Sequence, residues 1–344
     1  MKLKDLRAFH PHRVLLVRLG ALGDVVRTMP AVAALRRLRP EAHLTWLVEE
    51  AAAPILEGFP ALDGVRVLPR KSFAAGLGSV TRFLPTLARI DRERRALAAE
   101  RYDLALDFQG TLKSGLCLRA TRAPVRVGFA RGFGREGNHH FLTHPVAPDS
   151  PRLPRPQKFL SLVRVLGDVE AVPRVRFPER PAEAAAVARF LEAAGPGEGP
   201  RILLWPGTSR RQAYKRWPAR QFAELADALA AAGAGPVLIG WGPGEEALRD
   251  EVLAAATSAP RATPLFSLWE LVELIRACHL VVAGDTGPMH IAGLLDVPLV
   301  VLYPRTDPVV NAPLGARHRL LAPANGTRTI PTPQALAAAR ELLA

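Results

Sequence analysis

Leu280-Val281-Val282-Ala283-Gly284-Asp285-Thr286-Gly287-Pro288-Met289-His290 reads as a buried strand, a tight turn and the start of a helix. Four apolar residues without alternation suit a strand covered on both faces, as in a parallel sheet. Proline is favoured in the first turn of a helix. The free backbone N–H groups there make an anion site suited to a diphosphate. Gly287 lets a phosphate approach the backbone closely, and Thr286 adds a hydroxyl donor. Simple capping competes, because Asp and Thr are preferred N-caps. Capping requires neither flanking glycines nor His290 on the same turn, so the functional reading is favoured.

Outward from this turn, strands and helices alternate. In the second half, 202–205, 236–240, 280–283 and 299–303 read as strands, and 182–194, 221–232, 245–256, 268–276 and 289–295 as helices. The first half repeats the pattern. It has strands at 14–17, 43–48, 65–68 and 104–107, and helices over 25–39 (Val25, Met29, Val32, Leu35 and Leu38 at helical spacing) and 88–101. Such alternation implies parallel sheets with right-handed crossovers. Glycines mixed with Arg and His over 119–155 read as loops, and 195–200 is a Gly/Pro cluster. The proline-rich stretch 170–181 marks a boundary, giving domains 1–175 and 176–344, with the last helix a candidate to pack back on the first. The fold class is α/β: two Rossmann-like, doubly wound domains facing a cleft, with chemistry expected in the turns after strands.

Composition agrees. A chain of 344 residues, 49% hydrophobic and 23% charged, is globular and long enough for two domains. Cys117 and Cys278 form no disulfide framework or zinc site and fit a reducing compartment. The first apolar run is broken by Arg18, no secretory signal is visible, and no uncharged apolar stretch reaches the roughly 20 residues that span a bilayer. A cytoplasmic protein, at most peripheral on the membrane, is expected. The net charge of +14 lies entirely in residues 1–180, with 31 Lys and Arg against 17 Asp and Glu; the remainder holds 15 of each. That asymmetry suits an anionic partner (phosphorylated lipid, membrane surface or nucleic acid) and equally a solvated basic surface.

Other turns carry candidates. In Arg18-Leu19-Gly20-Ala21-Leu22-Gly23-Asp24, Asp24 is either an N-cap or a general base for a hydroxyl nucleophile. Two glycines three apart are not the dinucleotide fingerprint. In Gly207-Thr208-Ser209-Arg210-Arg211-Gln212-Ala213-Tyr214-Lys215, the hydroxyls of Thr208 and Ser209 with Lys215 suit a phosphate clamp, or a charged surface loop. Asp107-Phe108-Gln109-Gly110-Thr111-Leu112-Lys113-Ser114 suits a polar acceptor. His139, His140 and His144 lack carboxylate or cysteine partners at metal-ligand spacing. Gly240-Trp241-Gly242-Pro243-Gly244 lacks the spacing of a nucleotide motif, and no Gly-x-Ser-x-Gly occurs.

Together these turns resemble glycosyltransferase family 9, the heptosyltransferases of the lipopolysaccharide inner core. The matching pieces follow the family's order: Arg18…Gly23-Asp24, Asp107-Phe108-Gln109-Gly110…Lys113-Ser114, Lys215-Arg216-Trp217-Pro218, Trp241-Gly242…Glu245, and Gly284-Asp285-Thr286-Gly287-Pro288-Met289-His290. The resemblance covers about 14–305 and is loose over 131–144, near the expected acceptor site. It implies a GT-B fold and inverting, metal-independent transfer without a cofactor, the nucleotide sugar (usually ADP-heptose) being a substrate. It implies Asp24 as base, and Lys215 with Thr286 and Gly287 on the leaving diphosphate. Asp285 and His290 would hold the donor sugar, and Glu245 or the adjacent Glu246 the nucleoside; Thr208 and Ser209 join the donor set. Arg18, Gln109 and Lys113 would meet an anionic glycolipid at the inner face of the cytoplasmic membrane. A GT-B nucleotide-sugar epimerase or hydrolase is the alternative enzyme. A non-enzymatic nucleic-acid binder is the alternative outside enzymes, weakened by few aromatics near the Arg clusters, and no nucleic acid is expected.

Overall fold

In the computed structural model, which describes residues 2–195, 199–324 and 329–344, the apolar runs become the central strands of two parallel sheets. The chain divides into two compact units, Met1–Val175 and Arg176–Ala344. The first contains β1 (Arg13–Val17), α1 (Leu22–Leu38), β2 (His43–Glu49), β3 (Gly64–Leu68), α2 (Arg70–Leu77), α3 (Phe83–Ala99), β4 (Leu104–Asp107), α4 (Leu112–Thr121), β5 (Val125–Phe129), β6 (His144–Val146) and α5 (Arg155–Arg164). The second contains α6 (Pro181–Ala193), β7 (Ile202–Trp205), α7 (Ala219–Ala231), β8 (Val237–Ile239), α8 (Glu246–Ala255), β9 (Arg261–Ala262), α9 (Leu268–Ala277), β10 (Leu280–Gly284), α10 (Gly287–Leu294), β11 (Leu299–Leu302), β12 (His318–Leu321) and α11 (Thr332–Leu343).

Strand order is β3-β2-β1-β4-β5-β6 in one sheet and β12-β11-β10-β7-β8-β9 in the other, among the described residues. Counted within each unit, the two orders are the same. In each, the first strand has the second on one side and the fourth on the other, so chain direction across the sheet switches between β1 and β4 and between β7 and β10. A crevice for ligand opens at the carboxyl ends beside such a switch. Register brings the relevant turns together: Val17 lies opposite Asp107, and Ala283 opposite Trp205. Residues Val14–Val17 and Leu280–Ala283 are fully buried, as strands covered on both faces require.

The segment 119–155 is mostly loop, as expected, but it also carries β5, β6 and the end of α4. Gly128, which reads as a loop marker, lies within β5, where a Cβ would press on the Leu142 side chain. β6 is a three-residue edge strand containing Pro145, and edge strands tolerate proline. In the last helix, Ala335, Ala338 and Ala339 of α11 join the core around Trp217 and Phe222. Residues 196–198 of the Gly/Pro cluster lie outside the described residues.

Between Arg164 and Pro181 the chain has neither helix nor strand. Its start is tied to the first unit, where Arg39 Nη2 donates to the Leu166 carbonyl at 2.8 Å and Arg7 pairs with Asp168 at 2.7 Å. Its end is tied to the second, where Phe177 meets the Trp269 ring edge-on at 5.6 Å and Arg180 lies over that ring at 4.3 Å.

Candidate active site

In the first unit, Ala21 is the N-cap of α1 and Asp24 is the third helical residue, so the capping role expected for Asp24 does not hold. Its carboxylate is instead ion-paired with Arg18 and with Arg27, one turn along the same helix. Burial alone would push this carboxyl up. Arg18, Arg27 and, further off, Arg155 outweigh burial and hold it well below the usual carboxylate range.

Arg18 itself is buried. Its residue is only 4% exposed, its Nη1 donates to the Phe108 carbonyl at 2.6 Å, and its guanidinium lies 5.2 Å over the Phe159 ring. It holds Asp24 from inside. Lys158 adds a further cation, donating to the Phe133 carbonyl at 3.0 Å and lying 4.6 Å from the Phe129 ring centroid. Burial, then Arg155, Arg135 and Arg18, push its ammonium pKa down. Three cationic side chains, Arg18, Arg27 and Arg155, thus act on one carboxylate, and Lys158 feels two of the same three, a field suited to a ligand with several anionic groups.

The turn after β4 is structural at its centre. Asp107 is fully buried and accepts from Gln109 N at 2.8 Å, Gly110 N at 3.0 Å, Ser114 Oγ at 2.8 Å and Asn138 Nδ2 at 2.7 Å. Burial pushes its carboxyl up against the pull of those bonds. Thr111 caps α4 by accepting from Ser114 N. At the rim, Gln109 Oε1 accepts from Leu19 N at 3.3 Å, and Lys113 is ion-paired with Glu49, which also lies 3.6 Å from Arg70.

In the second unit, Thr286 is the N-cap of α10 but its side chain makes no capping bond, and Pro288 occupies the first turn. Capping therefore leaves the backbone donors of this helix start to other partners. Asp285, 6% exposed, accepts from Lys215 Nζ at 2.9 Å, and His290 Nε2 lies 3.8 Å from its other oxygen. Lys215 ends the 3-10 segment Arg210–Lys215 that follows β7. Thr208 is buried: its hydroxyl donates to the Gln212 carbonyl at 3.2 Å and accepts from Arg216 Nε at 3.2 Å. That residue shapes the loop, whereas Ser209 is exposed beside it.

The two adjacent glutamates separate clearly. Glu245 Oε2 accepts from Gly242 N at 2.8 Å, and a Cβ on Gly207 would overlap the Glu245 carboxylate. Glu245 therefore spans the loops after β7 and β8, and burial pushes its carboxyl up. Glu246 is exposed and accepts from Gly244 N at 3.3 Å. Glu245→Ala is expected to weaken binding of a nucleoside diphosphate by about 10–100-fold, and Glu246→Ala to change it by less than about twofold. Titration calorimetry with ADP checks this, and the reverse order of effects would reassign the contact.

His139 and His140 stack at 4.0 Å and His144 bonds Thr143 at 2.8 Å. Among the described residues, no three His, Cys, Asp or Glu side chains are grouped to hold a metal ion.

With this geometry in hand, comparison with known proteins gives a consistent answer. A glycosyl transferase family 9 protein from Veillonella parvula has the same fold, with TM-score 0.82 at 21% identity over 96% of this chain and 97% of that one. The structure of E. coli heptosyltransferase WaaC with ADP gives TM-score 0.75 at 23% identity over 96% and 99%. The fold is GT-B, that of nucleotide-sugar glycosyltransferases. Residues 90–329 match the model of Glycosyltransferase family 9 (heptosyltransferase). Lipopolysaccharide heptosyltransferase 1 of Pseudomonas aeruginosa is 30% identical over 307 residues, 86% of this chain and 79% of that protein. The chain belongs to glycosyltransferase family 9 and is a glycosyltransferase.

Proposed function

We propose that the protein transfers heptose from ADP-heptose, with inversion and without a metal or cofactor, to a hydroxyl of an anionic glycolipid of the lipopolysaccharide inner core. It works on the cytoplasmic side, peripherally on the membrane. The observation that carries this reading is the pair of charged centres at equivalent sheet switch points. One is an ionised carboxylate among cations in the first unit, and the other is a lysine beside an uncapped helix start in the second.

Asp24 takes the proton of the acceptor hydroxyl as that oxygen bonds the anomeric carbon from the face opposite ADP. The bond from that carbon to the diphosphate oxygen breaks, and ADP leaves with the electron pair. Lys215 turns from Asp285 to the diphosphate, and the N–H groups at the start of α10 add their partial positive charge. Asp285, freed of Lys215, and His290 hold hydroxyls of the sugar, while Glu245 holds the nucleoside. The cations around Asp24, with Lys113 at the rim, meet the anionic groups of the acceptor, which gives the basic first half its purpose without nucleic acid. The names of the relatives and the ADP in the E. coli structure support this choice of donor and acceptor.

A thermal-shift series with ADP-, UDP- and GDP-sugars tests the donor. ADP-sugars alone should stabilise the protein, by about 2.7 kcal/mol at a hundredfold excess over Kd. Stabilisation by UDP- or GDP-sugars in preference, or by none, would overturn the assignment.

A further inference from the structure

The two helices after β3 leave most of their apolar surface uncovered. Gly76 is the only buried residue of α2, and α3 buries Thr86 and Leu97 out of 17 residues. The helices nevertheless meet closely, since a Cβ on Gly76 would overlap the Thr86 side chain. At the tip of this hairpin Val80 is 98% and Leu84 74% exposed, and Leu77, Phe83 and Leu87 each exceed 40%. An apolar tip of this kind, rimmed by charge, marks an interaction surface.

The charge says what kind of surface. Residues 70–95 hold seven Lys and Arg against two Asp and Glu. Both acids are already ion-paired, Asp91 with Arg94 and Arg95, and Glu93 with Arg66, so the outward field is cationic. Beneath the hairpin a cavity of about 960 Å³ continues the pattern, with Phe73, Ile90 and Leu116 as apolar walls beside Arg70, Arg119 and Arg122. Among the described residues no helix is long and apolar enough to cross a membrane. An apolar edge set among arginines matches the boundary between headgroups and acyl chains of an anionic bilayer.

We propose that the α2–α3 hairpin docks the protein on an anionic lipid bilayer, with Val80, Phe83, Leu84 and Leu87 entering the headgroup–acyl boundary and Arg82, Arg89 and Arg92 meeting lipid phosphates. It rests on the glycolipid reading only for the reason a bilayer is at hand. Vesicles that contain no glycolipid therefore test it separately.

The full chain should float with phosphatidylglycerol-containing vesicles and not with pure phosphatidylcholine vesicles. Val80→Glu with Leu84→Glu should reduce flotation by about tenfold or more, leaving the thermal shift by ADP-sugar unchanged. A polarity-sensitive dye on Val80→Cys should shift to the blue with the anionic vesicles only. That label reaches position 80 selectively, because burial pushes the thiols of Cys117 and Cys278 up to about 12. Undiminished flotation of the double variant would overturn the proposal, as would a dye that stays in water while the protein floats. A wild-type protein that ignores vesicles but loses a dimer in the double variant would make the face a contact between copies. Flotation as expected without any ADP-sugar shift would sink the ADP-heptose reading alone.

Discussion

Asp24→Asn is expected to lower the transfer rate by about 10²–10⁴-fold, the range a positioned general base contributes, with ADP affinity unchanged. The asparagine keeps the shape but cannot take the hydroxyl proton, and its amide nitrogen cannot accept from the guanidinium it faces. Asp24→Ala should lose the same activity, and both substitutions should lose stability besides, since each leaves the guanidiniums of Arg18 and Arg27 without their shared counter-charge. Breaking a buried pair in this way costs about 3–5 kcal/mol, an upper bound here because the Asp24 side chain is 24% exposed. The folded carboxyl titrates below its unfolded value, so its contribution to stability is complete above about pH 4 and is lost as pH falls through the folded value. Activity should therefore show no acid loss from Asp24 in the ordinary carboxylate range. Calorimetry with ADP, single-turnover rates and denaturant melts measure the three effects, and a fully active Asp24→Asn would remove this residue from the chemistry.

Lys215→Met should produce the second large effect, and it has two separable parts. Loss of the ammonium strands Asp285, whose side chain is 6% exposed, at about 3–5 kcal/mol. Loss of charge stabilisation on the departing diphosphate should lower kcat by about 10²–10³-fold. Adding Asp285→Asn removes the stranded charge and should return most of the stability while transfer remains lost. A double variant that recovers both would reduce Lys215 to a structural partner of Asp285.

Legibility in the sequence followed burial for most strands, although the half-exposed edge strand β3 can be read and the largely buried β5 cannot. Strands covered on both faces, such as Val14–Val17 and Leu280–Gly284, announce themselves as unbroken apolar runs. β6, β9 and β12 do not, because edge strands of two to four partly exposed residues carry no run and no clean alternation. Within the candidate site, the turn residues could be read because glycine, proline and charge after a strand have a local meaning. Their pairings could not. Lys215 and Asp285 lie 70 positions apart, Lys113 and Glu49 lie 64 apart, and strand order alone brings them together. Arg155 and Lys158 stayed invisible for the same reason, as did the inward direction of Arg18. That Glu245 and not its neighbour Glu246 closes over Gly207 was equally unreadable.

The closing of each sheet on its own helices has a consequence for how such variants are observed. Each unit holds a complete hydrophobic core, so the chain has the means to unfold in more than one cooperative step, and a single midpoint then describes neither unit. A lesion at Asp24 would open amides of the first unit, and one at Lys215 those of the second. Hydrogen exchange read peptide by peptide is thus the natural witness for both, because it tells where the structure has loosened as well as by how much.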